Sequence, residues 1–188
     1  MAHYRRLAGE TCYLSPPDET DAERIKSWDN DLEVLLNASM DGTSTPASAL
    51  YQKPVERSPM LKHMMMIVDA ETDAAIGWCM LYSMIPKNRR ASLGIIIGDQ
   101  SYWGRGYGTE AVRLLLGYGF DVLDFHSVEL GVYAFNRRAI RCYERVGFQR
   151  IGVRRQSHML GGIAHDTVLM DILASEFNGE PITKSITS

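Results

Sequence analysis

The chain has 188 residues, 45% of them apolar and 23% charged, with a formal net charge of -3. That length and balance suit one soluble domain able to bury a core unaided, and exclude a disordered chain, a collagen-like repeat and a disulfide scaffold. The slight acidic excess also argues against a general nucleic-acid binder, which needs surplus Lys and Arg to neutralise phosphate.

Cys12, Cys79 and Cys142 form no C-x-x-C pair, so neither a disulfide framework nor a thiolate metal site is expected. Residues 1–6 lead into mixed polar sequence rather than an apolar signal segment, and no apolar run reaches the ~20 residues that span a bilayer. The expectation is a cytoplasmic protein with no membrane partner and no bound metal. A homo-oligomer is left open.

In chain order, residues 11–14 read as a short strand closed by Pro16-Pro17. Asp18 resembles an N-cap for a helix carrying Ala22, Ile25 and Trp28 on one stripe, and a second helical piece is expected over 31–39. Residues 41–59 hold Pro46, Pro54 and Pro59 among Gly, Ser and Thr, and read as loop. Met64 to Val68, Ala75 to Leu81 and Ala91 to Ile97 then form an antiparallel meander, the methionines filling a core. From Gly108, a helix through Leu123 presents Val112, Leu115, Leu116 and Phe120 on one face. Val128, Leu130 and Val132 alternate as in a strand, with Glu129, Gly131 and Tyr133 on its polar side. Asn136 caps a helix ending at Gly147, and two strands (148–154 and 164–173) flank a Gly161-Gly162 turn. The order predicts an α/β (α+β) fold. A mixed, largely antiparallel sheet flanked by helices would occupy residues 1–177, and 178–188 would be a loose tail.

Charge falls unevenly along this order. Residues 10–41 hold nine acids and residues 137–155 seven arginines. These are either two solvated faces or surfaces for oppositely charged ligands.

The stretch from Ile95 to Glu110 (IIIGDQSYWGRGYGTE) is the most informative. A strand runs into a turn of alternating glycines, and a helix begins there. Glycines let the backbone turn sharply and approach a ligand, while free N–H groups at a helix start attract an anion such as a phosphate. A P-loop would need Gly-Lys-Ser/Thr, and this turn has no lysine. A dinucleotide fingerprint needs G-x-G-x-x-G after the first strand of a parallel unit, whereas here G-x-G-x-G follows three antiparallel strands.

The Trp103-x-x-Gly106-x-Gly108 spacing resembles the (Gln/Arg)-x-x-Gly-x-(Gly/Ala) turn of GNAT acetyltransferases, with Trp103 replacing the usual Gln or Arg. The block from Tyr133 to Phe148 (YAFNRRAIRCYERVGF) resembles the second signature of that family's spermidine and ribosomal-protein N-terminal branch. The closing Gly162-x-x-His165-Asp166-x-x-Leu169-Met170 is also similar. The resemblance implies acetyl-CoA as co-substrate and direct attack by a primary amine, either a polyamine-like molecule or a protein N-terminus. The alternative is a non-catalytic acyl-CoA-binding module for sensing or recruitment.

By that resemblance, the backbone of Ile95, Ile96 and Ile97 pairs with pantetheine and offers an N–H to the thioester oxygen. Trp103, Gly104, Arg105, Gly106, Tyr107, Gly108 and Thr109 cradle the pyrophosphate. Asn136 either caps its helix or also bonds the pantetheine arm. Arg137 and Arg138, at that helix start, stand where a 3′-phosphate or the adenine end of CoA would lie. Tyr143, two helical turns after Asn136, either donates to the departing thiolate or is a core tyrosine. Ser92 stands where the spermidine enzymes commonly carry a Glu, which leaves the general base open. Cys142 reads as a packing residue, lacking a base for nucleophilic work. His158 and His165, on opposite arms of the last hairpin, are candidate base or substrate contacts.

Overall fold

Eight strands form one sheet in the computed structural model, which describes residues 3–38 and 63–179. They are β1 (Leu7–Ala8), β2 (Cys12–Ser15), β3 (Met64–Asp69), β4 (Ala75–Ile85), β5 (Arg90–Ile97), β6 (Ser127–Tyr133), β7 (Gln149–Leu160) and β8 (Ile163–Leu173). Their spatial order is β1-β2-β3-β4-β5-β6-β8-β7, and all pairs are antiparallel except β5 with β6. Among the described residues the α-helices are α1 (Ala22–Asp29), α2 (Leu32–Asn37), α3 (Tyr107–Gly117) and α4 (Arg137–Val146). The loop expected over 41–59 and the tail from 180 onward lie outside the described residues.

Each face of the sheet buries its own apolar cluster, giving three layers. On one face Val112, Leu115 and Leu116 of α3 and Ile140 of α4 pack on Leu81, Leu93, Val128 and Leu130. On the other, Ile25 and Trp28 of α1 and Val34 of α2 pack on Trp78, Met80 and Ile96. Asp18 caps a 3-10 turn (Glu19–Asp21) leading into α1, and Asp31 caps α2 by accepting from Glu33 and Val34 N–H. Part of the acidic front is therefore occupied in starting helices.

Three local features depart from the sequence expectation. The two-residue β1 is too short to show a periodicity. The helix read as continuous to Leu123 leaves α geometry at Gly117 and continues as a π turn over Tyr118–Val122. Gly117 and Gly119 are weak helix formers, and a Cβ on Gly119 would sit 3.0 Å from Leu81 Cδ1, so burial of Phe120 decides the path. The last hairpin is longer than expected, and β8 inserts between β6 and β7.

The parallel junction positions the site. β5 pairs with β6 at Arg90↔Ser127, Ala91↔Val128 and Ser92↔Glu129, and there the pairing stops. Beyond it β5 stays with β4 as far as Ile97↔Gly77, while β6 stays with β8 as far as Tyr133↔Thr167. The two strands part, and one edge of β5 is left open. Gly98 N–H donates to Ile76 O on the β4 side at 2.9 Å. Strand alternation therefore turns the backbone groups of Ile95 and Ile97 toward the parting.

Candidate active site

β5 leads through Gly98 to Asp99, whose carboxylate accepts from Ser101 N–H and caps a 3-10 turn over Gln100–Tyr102. Gly104 and Gly106 follow with φ of +74° and +96°, and Gly106 is the N-cap of α3. A Cβ built on either meets nothing within 4 Å, so the space over the turn is open. The N–H groups of Gly104, Arg105, Gly106, Tyr107 and Gly108 find no acceptor among the described residues. A run of unsatisfied donors at the positive end of a helix favours a negative group.

Side chains lock this turn to its neighbours. Trp103 Nε1 donates to Ile97 O at 2.7 Å, fixing the turn to the end of β5 and occupying one of the carbonyls that face the parting. Arg138, from the first turn of α4, lies 3.6 Å over the Trp103 ring, a cation–π contact. Arg137 beside it is exposed. The sequence treats the two arginines as a pair, and the structure separates them. The Tyr107 hydroxyl donates to Asp69 Oδ2 at 3.1 Å, anchoring α3 to β3, while Arg105 lies over the Tyr102 and Tyr107 rings. Thr109 Oγ1 reaches Cys142 Sγ at 3.4 Å, and a Cβ on Gly108 would sit 3.8 Å from Ile97 Cγ1. The turn, the end of β5 and α4 thus converge.

Asn136 is buried and accepts from Ala139 N–H at 3.0 Å, so it does cap α4. Its Nδ2 donates to Asn37 O at 2.9 Å, tying α4 to α2. Tyr143, two turns on, is 8% exposed, with its ring edge-on to Phe148 at 5.7 Å. Its hydroxyl has no hydrogen-bond partner among the described residues. Burial pushes its phenol well above the ordinary tyrosine range, helped by Cys142 and by Tyr82 on the opposite sheet face. It is therefore a neutral O–H donor across the physiological range. Burial also raises the Cys142 thiol against the opposing Thr109 hydrogen bond, which suits packing and not nucleophilic attack.

The opposite face carries a polar row that the sequence expectation left undeveloped. Tyr82, Ser92, Glu129 and Asp171 stand in register across β4, β5, β6 and β8 and share that face. Glu129 reads in the sequence as the polar side of an alternating strand. Its position opposite Ser92 is set by the non-local β5–β6 pairing. Further along β6, Tyr133 stacks on His158 at 4.0 Å, and Phe135 meets His165 edge-on at 4.9 Å. The two histidines are direct cross-strand partners within an aromatic cluster. Among the described residues no group of His, Cys, Asp and Glu is placed to hold a metal ion.

Comparison with known proteins decides the family. The profile of the acetyltransferase (GNAT) domain matches residues 12–149. This chain belongs to the GNAT acetyltransferase family. A probable N-acetyltransferase of Bacillus subtilis, YjcK, is 31% identical over 179 residues, covering 89% of this chain and 96% of that protein. A Bacillus licheniformis N-acetyltransferase, p20, is 32% identical, but the match spans only 60% of this chain and 63% of that protein. The spermidine N(1)-acetyltransferase of Escherichia coli K12 is 26% identical over 93% of this chain and 92% of its own length. Among solved structures, spermidine N-acetyltransferase from Vibrio cholerae in complex with CoA and spermine superposes with a TM-score of 0.73. That match covers 89% of this chain and 98% of the other at 22% identity. The mixed, largely antiparallel sheet flanked by helices is the GNAT fold.

Proposed function

We propose that this GNAT protein transfers the acetyl group of acetyl-CoA to a primary amine, with the cofactor lying in the parting between β5 and β6. The observation that carries the reading is the run of five unsatisfied N–H groups from Gly104 to Gly108, beside the open backbone of Ile95 and the open N–H of Ile97. Thr109 lies at the same helix start. A pyrophosphate fits such a turn, since the space over Gly104 and Gly106 is open and the donors are fixed in the backbone. A pantetheine arm is a strand-like chain of amides, and the free edge of β5 at Ile95 and Ile97, with Ile96 between them paired to β4, offers it pairing groups.

When bound, acetyl-CoA supplies the thioester. Attack by an amine puts negative charge on the carbonyl oxygen. A preorganised backbone N–H at Ile95 or Ile97 stabilises that charge with no reorganisation, an effect typically worth ~10²–10³-fold per donor. The departing sulfur gains charge as the C–S bond breaks. Tyr143, protonated and without a protein partner, donates to that sulfur. The Asn136 cap holds the start of α4 against α2, so the helix carrying Tyr143 is fixed at its N-terminal end. Arg138 on Trp103 braces the cofactor turn, while exposed Arg137 is free for the 3′-phosphate.

The relatives that act on spermidine, and the acids of residues 10–41, favour a small cationic amine as acceptor. An acetyl-transfer screen across polyamines, amino sugars, amino acids and N-terminal peptides tests this. Release of CoA thiol matched by acetylated amine is the expected result. Tight acetyl-CoA binding with no transfer to any amine would replace catalysis with acyl-CoA sensing.

A further inference from the structure

We propose that Glu129, on β6, takes the proton from the incoming amine, supplying from the neighbouring strand the carboxylate that Ser92 lacks. This rests on the acetyltransferase reading and adds a residue to it. Three observations on the structure carry it. Ser92 and Glu129 are the last cross-strand partners before β5 and β6 part, so the carboxylate stands at the inner end of the opening. Residues paired across a sheet share a face, so Glu129 points to the α1–α2 side, opposite the side from which α4 brings Tyr143. An acceptor entering from the α1–α2 side would meet the carboxylate before reaching a thioester in the parting. The Glu129 side chain is 37% exposed, open to water and a proton path, with Arg90 Nη1 at 3.6 Å to hold it in place.

The alternatives on this face are weaker. Asp171, the partner of Glu129 on β8, is a strand farther from the parting. Burial, Glu176 and Glu129 together raise its carboxyl, so its distance from the parting, and not weaker basicity, sets it aside. Tyr82 is raised by burial and then by Glu129, an electrostatic sign that the Glu129 carboxylate faces it. Among the described residues, the titratable and charged groups around Glu129 are Arg90 from β5, Tyr82 from β4, and Asp171 with Glu176 beside it. Only Arg90 is a cation.

The proton balance closes without another reactant. The ammonium gives one proton to Glu129, which passes it to water. The free amine then forms the C–N bond as the carbonyl electron pair moves to oxygen. Collapse breaks the C–S bond while the Tyr143 hydroxyl hydrogen-bonds the departing thiolate, and the surplus proton on the new amide nitrogen passes to the sulfur to give CoA thiol. One proton is released for each amide formed.

The test compares wild type with Glu129→Gln, using spermidine as the amine and following CoA thiol release from pH 6 to about 10, the range over which an alkylammonium loses its proton. Acetyl-CoA affinity is measured on the same preparations. Loss of a general base typically costs ~10²–10⁴-fold. At pH 7 the variant should fall within that range, with acetyl-CoA affinity within about twofold. Its rate should then climb with pH as the free amine appears, narrowing the gap to wild type. Relocating the carboxylate, with Ser92→Glu in the Glu129→Gln background, should recover part of the lost rate and the wild-type pH profile. A merely structural Glu129 would move neither profile. Wild-type turnover and pH dependence in Glu129→Gln would overturn the proposal. So would a raised KM for spermidine with an unchanged pH profile, since Glu129 would then be a binding charge. If wild type itself transfers acetyl to no amine, the acetyltransferase reading fails and this one with it.

Discussion

At Gly106 a side chain fails for two separate reasons. A φ of +96° is strained for any residue with a Cβ and worst for a branched one, and the new atoms would occupy the open space over the turn. Gly106→Val should remain folded by circular dichroism yet lose acetyl-CoA binding in calorimetry. Affinity equal to wild type in a folded variant would remove the turn from the site. Tyr143 asks for a different experiment, because its ring packs and its hydroxyl does not bond. Tyr143→Phe keeps the packing and deletes the donor. Only an interaction stronger in the transition state than in the ground state raises turnover, and a neutral thioester sulfur is a poor acceptor. The rate constant should fall ~10²–10⁴-fold while acetyl-CoA affinity holds, both measured on one preparation. A variant that fails to bind acetyl-CoA would make Tyr143 a cofactor contact.

Between elements, the contact that organises the N-terminal edge is Glu110 of α3. Its carboxylate accepts from the N–H of Glu10 at 2.6 Å, Thr11 at 2.9 Å and Cys12 at 2.8 Å, and from the Thr11 hydroxyl, pinning the β1–β2 hairpin to the helix that follows the glycine turn. Burial alone would raise this carboxyl. The Thr11 hydroxyl and the three backbone donors outweigh it and hold it below the ordinary glutamate value. A depressed carboxyl contributes stability that is complete above the unfolded-state value and is lost as pH falls through the folded one. Thermal melts of wild type should therefore drop in acid below the ordinary glutamate range, and Glu110→Gln should flatten that part of the slope. At neutral pH, Glu110→Ala leaves charge-assisted donors unmet, about 1.5–3 kcal/mol, or roughly 3–10 °C in Tm for a chain this size. An unchanged melt would mean the hairpin is held by its strand pairing alone.

What the sequence reveals at this scale is what a short stretch can encode. The strand-turn-helix from Ile95 to Glu110 and the capped helix from Asn136 to Gly147 both read correctly, because glycine spacing, caps and periodicity are local. The insertion of β8 between β6 and β7, the parting of β5 from β6 and the placement of Glu129 opposite Ser92 do not read. Each depends on strands that pair across 30 or more residues, as Ser92 and Glu129 do, and no local pattern carries a partner's register. Arg137 and Arg138 read as a pair for the same reason, since only the fold sets Arg138 on Trp103.

Across the whole molecule, the acids of the front are partly spent on structure. Asp21 meets His3, Asp18 and Asp31 cap helices, and Asp31 Oδ2 also receives Gln100 Nε2 at 3.0 Å. That last bond joins the start of α2 to the turn that follows β5. The β5–β6 parting lies between α1–α2 on one face of the sheet and α3–α4 on the other, with the open backbone of β5 along its edge. The central claim is that acetyl-CoA occupies this parting through backbone groups. Hydrogen exchange of individual amides, with and without acetyl-CoA, tests it most directly. Amides at Ile95, Ile97 and Gly104 through Gly108 have open or unsatisfied positions in the free protein, and the account predicts that they slow markedly on binding while the β7–β8 hairpin does not change. Protection confined to another surface, with these amides exchanging as before, would contradict it.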